Sequence, residues 1–461
     1  MINFKNIVLT THMSSNSEGA SVISLDEFER KKHVLCAQLR SNKNVRLGKS
    51  TSNLFRHVAA GHDHLIDVRN FNNVIRINPT ALTADVEGMI TYEVLVNETL
   101  KFGLIPAVVP EFKTITVGGA TTGIGLEASS FKYGFVHETI QEIEVLLASG
   151  KILTCSKTEN TDLFYGFPNS YGTLGYALRL RIQLIPVQPF VKIVHRRFDN
   201  FTTYFNEMKN ACTQPLDFID GTIFNNHEMY ITTGIFVKTA PYLSDYTYMN
   251  IYYKSIRHKT EDYMSTCNFL WRWDTDWYWG SKKFGAQNPM IRYLLGPQRL
   301  RSSFYWKLRS QLSKTPFWKL LTPVVKYETV VQDVDIPIEH AAEFMTFQTE
   351  HIGIAPIWSC PVNAFNKNIK YPLYPLSPST TYVNLGFWDI VRTTHEPGYY
   401  NRLVEKKVTE LQGRKILYSD SFYTPDEFCA LYGGGTYTTL KNKYDPQHAF
   451  KTVYEECVVR K

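Results

Sequence analysis

The stretch at 109–138, VPEFKTITVGGATTGIGLEASSFKYGFVHE, restricts the fold more than any other part of this chain. It places glycines at 118, 119, 123, 125 and 134, with Thr116, Thr121, Thr122, Ser129 and Ser130 between them. Glycine permits positive φ and lets the backbone approach a ligand closely. Successive exposed N–H groups then form a concavity suited to an anion such as a diphosphate, and the hydroxyls add donors. Neither familiar phosphate loop occurs here: a dinucleotide fingerprint needs G-x-G-x-x-G between a strand and a helix, and a P-loop needs G-K-[ST]. A set of tight structural turns is the competing reading of this segment taken alone.

Three other segments share its chemistry. Arg46, Gly48, Lys49, Ser50, Thr51 and Ser52 make a short cationic, hydroxyl-bearing loop upstream. Asn169, Ser170, Tyr171, Gly172, Thr173 and Gly175 make a turn just before a predicted strand. Lys441, Lys443, Tyr444, Asp445 and Pro446 lie near the C-terminus.

The remaining pattern mixes strands and helices. Alternation at 74–78 reads as a half-buried strand, with Asn78 and Pro79 as its turn and 83–86 as a partner. Leu95, Val96, Leu100 and Phe102 are spaced for an amphipathic helix over 91–102 that Gly103 ends. A strand, a turn at 148–151 and a second strand fill 140–156, and another strand runs from Tyr176 to about Leu184. Such mixing predicts an α+β chain rather than a regular parallel sheet. Past Pro189 the composition turns aromatic, and a charged helix begins near Tyr400. The expected organisation is a first domain of two subdomains at 1–190, an inserted domain at 191–412, and a return to the first domain at 413–461.

In this order the four segments resemble the PCMH-type FAD-binding fold of the vanillyl-alcohol-oxidase and UDP-MurNAc-reductase superfamily. Within it the chain is similar to the Diminuto, or 24-dehydrocholesterol-reductase-like, branch of Δ24-sterol reductases. The likeness is carried by Thr116 to Gly119 (TVGG), by Gly125 to Ser130 (GLEASS), and by Lys132, Tyr133 and Gly134. It continues in 158–165 (TENTDLFY), 172–175 (GTLG), 288–296 (NPMIRYLLG), 330–333 (VVQD), 356–361 (PIWSCP) and 417–420 (LYSD). It spans about 46–457. At 46–56 and 168–175 the chain is equally similar to bacterial FAD-dependent reductases of methylene-bearing fatty-acyl chains. The membrane-anchoring N-terminal helix of the animal sterol reductases has no counterpart here.

The resemblance implies a two-lobed FAD domain with an inserted substrate cap. It implies that Arg46, Gly48, Lys49, Ser50, Thr51 and Ser52 form the first diphosphate loop. Around the cofactor it sets Pro110, Thr116, Val117, Gly118, Gly119, Thr122, Gly123, Gly125, Ser129, Ser130, Tyr133, Gly134, Gly172, Thr173, Gly175 and Ile182. Some relatives tether FAD through a histidine, where this loop offers Lys49 and Ser50, so the FAD is expected to be non-covalent. Lys443 is implied to lie close to the flavin, where a cation stabilises negative charge at the N1/C2 carbonyl of the reduced ring.

The implied reaction is reduction of an isolated C=C bond in a hydrophobic lipid, with NADPH as electron donor. Hydride addition to one carbon requires a proton for the other, or stabilised cation character. The candidate proton donors are Glu111, Glu127, Tyr423 and Tyr432; Glu127 could instead cap or pair with Lys132, and Tyr432 could be core. A methylene-fatty-acyl phospholipid reductase, an alcohol or sugar-lipid oxidase, and a non-catalytic flavin-bearing membrane-associated protein are the rival readings.

Charge bears on partners. Net charge is +7, and 271–326 holds eleven Lys/Arg against Asp274 and Asp276 together with six of the eight tryptophans. This predicts either contact with an anionic membrane or a solvated basic face over an aromatic core, and nucleic acid is not expected. No apolar run reaches 18 residues, and 1–11 lacks a secretory signal pattern, so a cytoplasmic protein, either free or peripheral on the membrane, is expected, with translation from Met1 or Met13. Seven scattered cysteines without a C-x-x-C pair indicate no zinc or other metal site and no disulfide framework.

Overall fold

Residue periodicity sorts the chain into two antiparallel sheets, each with one face in an apolar core. The computed structural model describes residues 22–39, 45–49, 53–56, 64–304 and 327–458. In chain order the strands are β1 (Val45–Gly48), β2 (His64–Asp67), β3 (Val74–Asn78), β4 (Thr83–Glu87), β5 (Leu104–Pro106), β6 (Ile140–Leu146), β7 (Ile152–Ser156) and β8 (Tyr176–Pro186). They continue as β9 (Phe190–Phe198), β10 (Phe218–Asn225), β11 (Glu228–Val237), β12 (Glu261–Ser265), β13 (Tyr327–Pro337), β14 (Ile357–Val362), β15 (Tyr382–Arg392) and β16 (Arg414–Lys415).

The first sheet runs β3-β4-β8-β6-β7, with β5 also on β8, and β1 pairs with β2 in a small parallel ribbon. Its central strand β8 shows why one face is buried. Leu178, Leu180, Ile182 and Leu184 alternate into the core. Arg179 and Arg181 point the other way to Asp85, Glu142 and Glu144. The helix Tyr92–Leu100 follows β4: Thr91 Oγ1 accepts from Val94 N, Leu95 and Val96 are buried, and Gly103 at φ 68° turns the chain into β5. The chain is thus α+β, and strand β8 extends to Pro186 rather than ending at Leu184.

The second sheet runs β12-β9-β11-β10-β14-β15-β13-β16 and is antiparallel throughout. Helices Phe201–Ala211, Ala341–His351 and Tyr399–Glu410 cover one face, where Tyr204, Phe344 and Val404 meet Ile219, Val334 and Leu385. Because side chains alternate along a strand, the opposite register of β10 and β14 faces the first sheet. Trp358, Cys360 and Val362 of β14 join its core there. The chain returns at its end: helix Gly434–Tyr444 packs on helix Thr161–Gly166. The candidate site lies where the two sheets meet.

The tryptophan-rich basic stretch is not one solvated face. Trp271, Trp273 and Trp279 are buried, as are Arg272 and Arg292, whereas Lys282, Met290, Tyr293, Leu294 and Arg299 are exposed. Its residues 305–326 lie outside the described residues.

Candidate active site

The glycine-rich stretch folds as a short helix, Val117–Thr122, capped by Thr116, whose Oγ1 accepts from Gly119 N at 3.2 Å. Gly118 is required by packing: a Cβ there would come within 2.7 Å of the Gly88 carbonyl oxygen, to which Gly118 N donates. The N–H groups of Val117 and Ala120 are also satisfied, by Ile90 and Thr116 carbonyls. The first turn is therefore pinned to the sheet instead of presenting a row of free donors. Gly119 is exposed beside it, and Thr122 and Gly123 are half-buried.

Gly123 lies against the turn at 169–175, in ordinary contact range of the Tyr171 ring. That turn is strained, with φ of 63° at Asn169, 50° at Tyr171, 84° at Gly172 and 143° at Gly175. Non-glycine residues held in this region cost roughly 1–3 kcal/mol each and persist where surrounding structure enforces them. Arg56 stacks its guanidinium 4.5 Å from the Tyr171 ring centre and donates to Leu417 O and Glu456. Phe55 bridges to Ser419. Asn169 Oδ1, Ser170 Oγ, Arg56 Nε and Ser419 Oγ are buried and have no hydrogen-bond partner among the described residues. A strip of buried polar atoms without partners is costly unless a ligand meets it. Its mixture of donor and acceptor atoms beside a glycine turn fits the polar edge of a flavin nucleotide.

The other predicted cofactor residues are spread around this turn. Gly48 ends β1 and Lys49 is exposed; the Arg46 side chain and Ser50, Thr51 and Ser52 lie outside the described residues. Pro110 belongs to the buried run before Glu111. Ser129 Oγ donates to Ala107 O at 2.8 Å and Ser130 Oγ accepts from Glu127 N at 3.0 Å, so both tie the loop together. Thr173 Oγ1 accepts from Tyr437 OH at 2.9 Å. Gly125 and Gly134 are hemmed in by Ala120 and Glu138, Tyr133 packs near Phe365, and Ile182 pairs with Ala84 and Ile140 inside the first sheet.

Lys443, expected close to the flavin, lies at the surface. Its side chain is 56% exposed and pairs with Asp162 at 2.6 Å. Lys441, two residues earlier and so about 200° around the helix, is the buried ammonium. It donates to Thr173 O and Phe450 O and pairs with Asp445. Tyr423 and Tyr432 also lie apart from the carboxylates. They pack on each other and on Phe428, and Tyr432 donates to Lys415 O.

Glu111 and Glu127 are brought together by a residue that the sequence analysis did not single out. Arg272 is buried between them: it ion-pairs with Glu111, reaches Asp220 at 2.6 Å and Glu127 at 3.6 Å, and donates to Phe269 O. Lys132, the alternative partner of Glu127, instead pairs with Asp217. Three carboxyl groups thus share one guanidinium out of water. Burial pushes Glu127 up to about 8, with Asp220 adding to the rise and Arg272 opposing it. Glu111 is raised well above the carboxylate range, again chiefly by burial. Arg272 loses solvation, and the surrounding carboxyls more than offset that loss, so it stays charged. The cluster is therefore built to keep a proton on a carboxyl near neutral pH.

Tyr278 OH lies 3.4 Å from Glu127 Oε2. It stands on a left-handed turn in which Trp277, Tyr278 and Trp279 have φ of 52°, 49° and 57°. Asp276 holds the turn by accepting from Trp279 N at 2.9 Å. Around the Tyr278 ring are Trp273, stacked at 4.9 Å, and Trp358 and Trp388 at 5.7 and 5.1 Å. Trp388 Nε1 donates to Tyr418 OH at 2.7 Å, and the neighbouring Asp333 is pushed up to about 8 by burial. This aromatic wall links the carboxyl cluster to the segment at 417–419 beside Arg56. A narrow crevice reaches Glu127 and Arg272, walled by Val109, Phe218, Phe269 and Leu270. A second crevice is lined by His137, Glu138 and Tyr371. There Glu138 accepts from Phe135 N and Phe365 N, which clasps the two sheets without a cation.

The signals for the missed residues were faint but present. Arg272 and Tyr278 sit among four tryptophans in a run that reads as patch, and Asp220 interrupts an apolar strand. Each is a charge or hydroxyl in a segment otherwise destined for the core.

The sequence is similar to those of known flavoproteins and sterol reductases. The FAD binding domain family matches residues 26–156. The Delta(24)-sterol reductase of Homo sapiens is 27% identical over 414 residues, which is 85% of this chain and 75% of that protein. The Delta(24)-sterol reductase of Arabidopsis thaliana is 24% identical over 434 residues, 84% of this chain and 75% of that protein. Cytokinin dehydrogenase 9 of Oryza sativa subsp. japonica is 27% identical over 199 residues, 42% of this chain and 38% of that protein. The chain is an FAD-dependent oxidoreductase with a PCMH-type FAD-binding domain. Within that superfamily it is similar to the Δ24-sterol reductases over most of its length. No helix among the described residues is long and apolar enough to cross a membrane.

Proposed function

We propose that this protein reduces an isolated carbon–carbon double bond in a hydrophobic lipid, with a sterol as the favoured class, NADPH as donor and a membrane as the source of substrate. The observation that carries the proposal is the buried cluster of Glu111, Glu127 and Asp220 on the single guanidinium of Arg272. A bound FAD, once reduced by NADPH, would supply a hydride to one alkene carbon. The chain's own residues must then deliver a proton to the other, which an unactivated alkene cannot draw from water unaided.

Glu127 holds that proton at its carboxyl, because burial keeps it protonated up to about pH 8. Arg272 fixes the carboxyls in place, and Tyr278 OH orients Glu127. Trp273, Trp358 and Trp388 keep water away from the group that gives up the proton. Asn169, Ser170, Arg56 and Ser419 are the residues that would meet the polar edge of the cofactor. The sequence carries no separate dinucleotide fingerprint, so NADPH would use the same site in turn with the lipid.

The test is an anaerobic absorbance spectrum of the holoprotein. Bleaching of the flavin bands by NADPH and their return with a Δ24-sterol supports the proposal. Return only with a methylene-bearing phospholipid moves the substrate to that class. The likeness to a cytokinin dehydrogenase favours a second reading, oxidation of a substrate. Bleaching by an alcohol, with peroxide formed on admitting air, would establish that direction instead.

A further inference from the structure

The two carboxyl oxygens of Glu127 meet different surroundings. Oε2 lies 3.4 Å from Tyr278 OH, beside the wall of Trp273, Trp358 and Trp388. Oε1 lies 3.6 Å from Arg272 Nη2 and is buried without a hydrogen-bond partner among the described residues, as is Arg272 Nε. The narrow crevice walled by Val109, Phe218, Phe269 and Leu270 reaches this second side. Its described lining includes Glu127 and Arg272, and neither Tyr278 nor any tryptophan.

What the crevice can carry follows from its size and its walls. Ala107, Val109, Phe218, Phe269 and Leu270 are each at most 5% exposed, and the Phe218 and Phe269 ring centres stand 4.5 Å apart. Walls packed this closely leave room for water-sized molecules and none for a sterol ring system or a dinucleotide. A buried water needs polar partners, and the inner end supplies them in Glu127 Oε1 and Arg272 Nε, two buried atoms that otherwise stay unpaired. The surface is near. Phe218 and Phe269 are next in sequence to Asp217 and Asn268, both partly exposed, and Asp217 pairs with exposed Lys132.

We propose that this crevice is the proton port of the site: water in it returns a proton to Glu127 after each turnover, on the side of the carboxyl that the tryptophan wall does not cover. The inference rests on the reductase reading above. There Glu127 breaks its O–H bond to protonate one alkene carbon and is left as a carboxylate. A hydronium ion of bulk water supplies the replacement. Its proton passes along water in the crevice, the O–H bond forms again at Oε1, and neutral water remains, so one proton is consumed for each double bond reduced. Arg272 steadies the carboxylate until that proton arrives. Water is thereby kept from the alkene and still reaches the acid.

The experiment is hydrogen–deuterium exchange at Glu127 itself, read in the full-length holoprotein by stopped-flow infrared absorption on mixing with heavy water, with no lipid present. The signal is the protonated-carboxyl C=O band that Glu127→Gln removes, followed at about pH 6, where Glu127 holds its proton. Val109→Phe and Ala107→Leu, which plug the crevice, each slow the exchange by at least about tenfold. Leu270→Ala added to either plug reopens the crevice and brings the rate back to within about threefold of the parent. Leu270→Ala alone speeds the exchange, so the port is also read without a plug. The flavin-to-protein absorbance ratio and the thermal midpoint show which variants fold. Exchange at the parent rate in folded plugged variants overturns the proposal. So does a slowed exchange that Leu270→Ala fails to restore, because that marks a distorted site and not a blocked path. With lipid and NADPH present, a plugged variant completes its first turnover at the parent rate and slows in later ones. Because the infrared reading uses no lipid, absence of lipid turnover sinks the reductase reading and leaves the port to be judged by exchange alone.

Discussion

Replacing Glu127 by Gln tests the core of the mechanism and can be read without any substrate. In the fold Glu127 titrates at about 8, while an exposed glutamate titrates near 4.5. An acid whose pKa is raised by folding binds its proton more tightly in the folded state. Its stabilising contribution is thus full below about pH 4.5 and is lost as pH rises towards 8. Inside that window the folded chain holds close to one proton more than the unfolded chain. The slope is then about 1.4 kcal/mol per pH unit, or roughly 2–3 kcal/mol between pH 5.5 and 7.5. Glu127→Gln keeps the shape and the contact to Arg272 and removes the titration. The parent should lose about that much stability relative to the variant across those two pH units, measured by denaturant unfolding of the holoprotein followed by tryptophan fluorescence. The same variant should lower the rate of lipid reduction by about 10²–10⁴-fold, while NADPH still reduces the flavin. Parallel stability curves for the two proteins between pH 5.5 and 7.5 would refute the claim that the cluster stores a proton on Glu127.

Other perturbations probe separate parts of the site. Arg272→Met leaves three carboxyls buried without their cation, and should cost about 3–5 kcal/mol in unfolding experiments at pH 8, with a smaller loss at pH 5 where Glu111 and Glu127 are neutral. Gly175→Ala forces a Cβ to 2.6 Å from Val145 Cγ1 at φ 143°. It should destabilise the turn by about 1–3 kcal/mol and lower the flavin-to-protein absorbance ratio after gel filtration. Lys441→Met should cost several kcal/mol because it leaves buried Asp445 without its cation and takes a donor from the Thr173, Phe450 and Lys451 carbonyls, whereas Lys443→Ala should change stability by less than about 0.5 kcal/mol and leave flavin content unchanged.

Much of the first sheet was legible because its information is local. The strand at 74–78 and its partner at 83–86 are separated by an Asn-Pro turn, and Thr91 and Gly103 punctuate the helix that follows them. Such signals need only residues a few positions apart. The glycine stretch was equally visible, yet its glycines serve partly for reasons no pattern shows: Gly118 is small because Gly88, thirty positions earlier in the chain, lies against it. Lys441 and Lys443 illustrate the limit most clearly. Both are lysines on the same short helix, and which one is buried depends on the face that meets Thr173.

The sequence by itself determined the α+β class, the places where glycine turns and hydroxyls gather, and the carboxyls Glu111 and Glu127 as candidates. Those follow from short-range stereochemistry and from the kinds of side chain present. Only the tertiary structure decided that these two acids share Arg272 with Asp220, which lies 93 and 109 positions along the chain from Glu127 and Glu111. It also decided that the tryptophans of the basic stretch face inward while Met290, Tyr293 and Leu294 face out. A pKa is set by burial and by the charges within a few ångströms, and both exist only once distant segments have packed together.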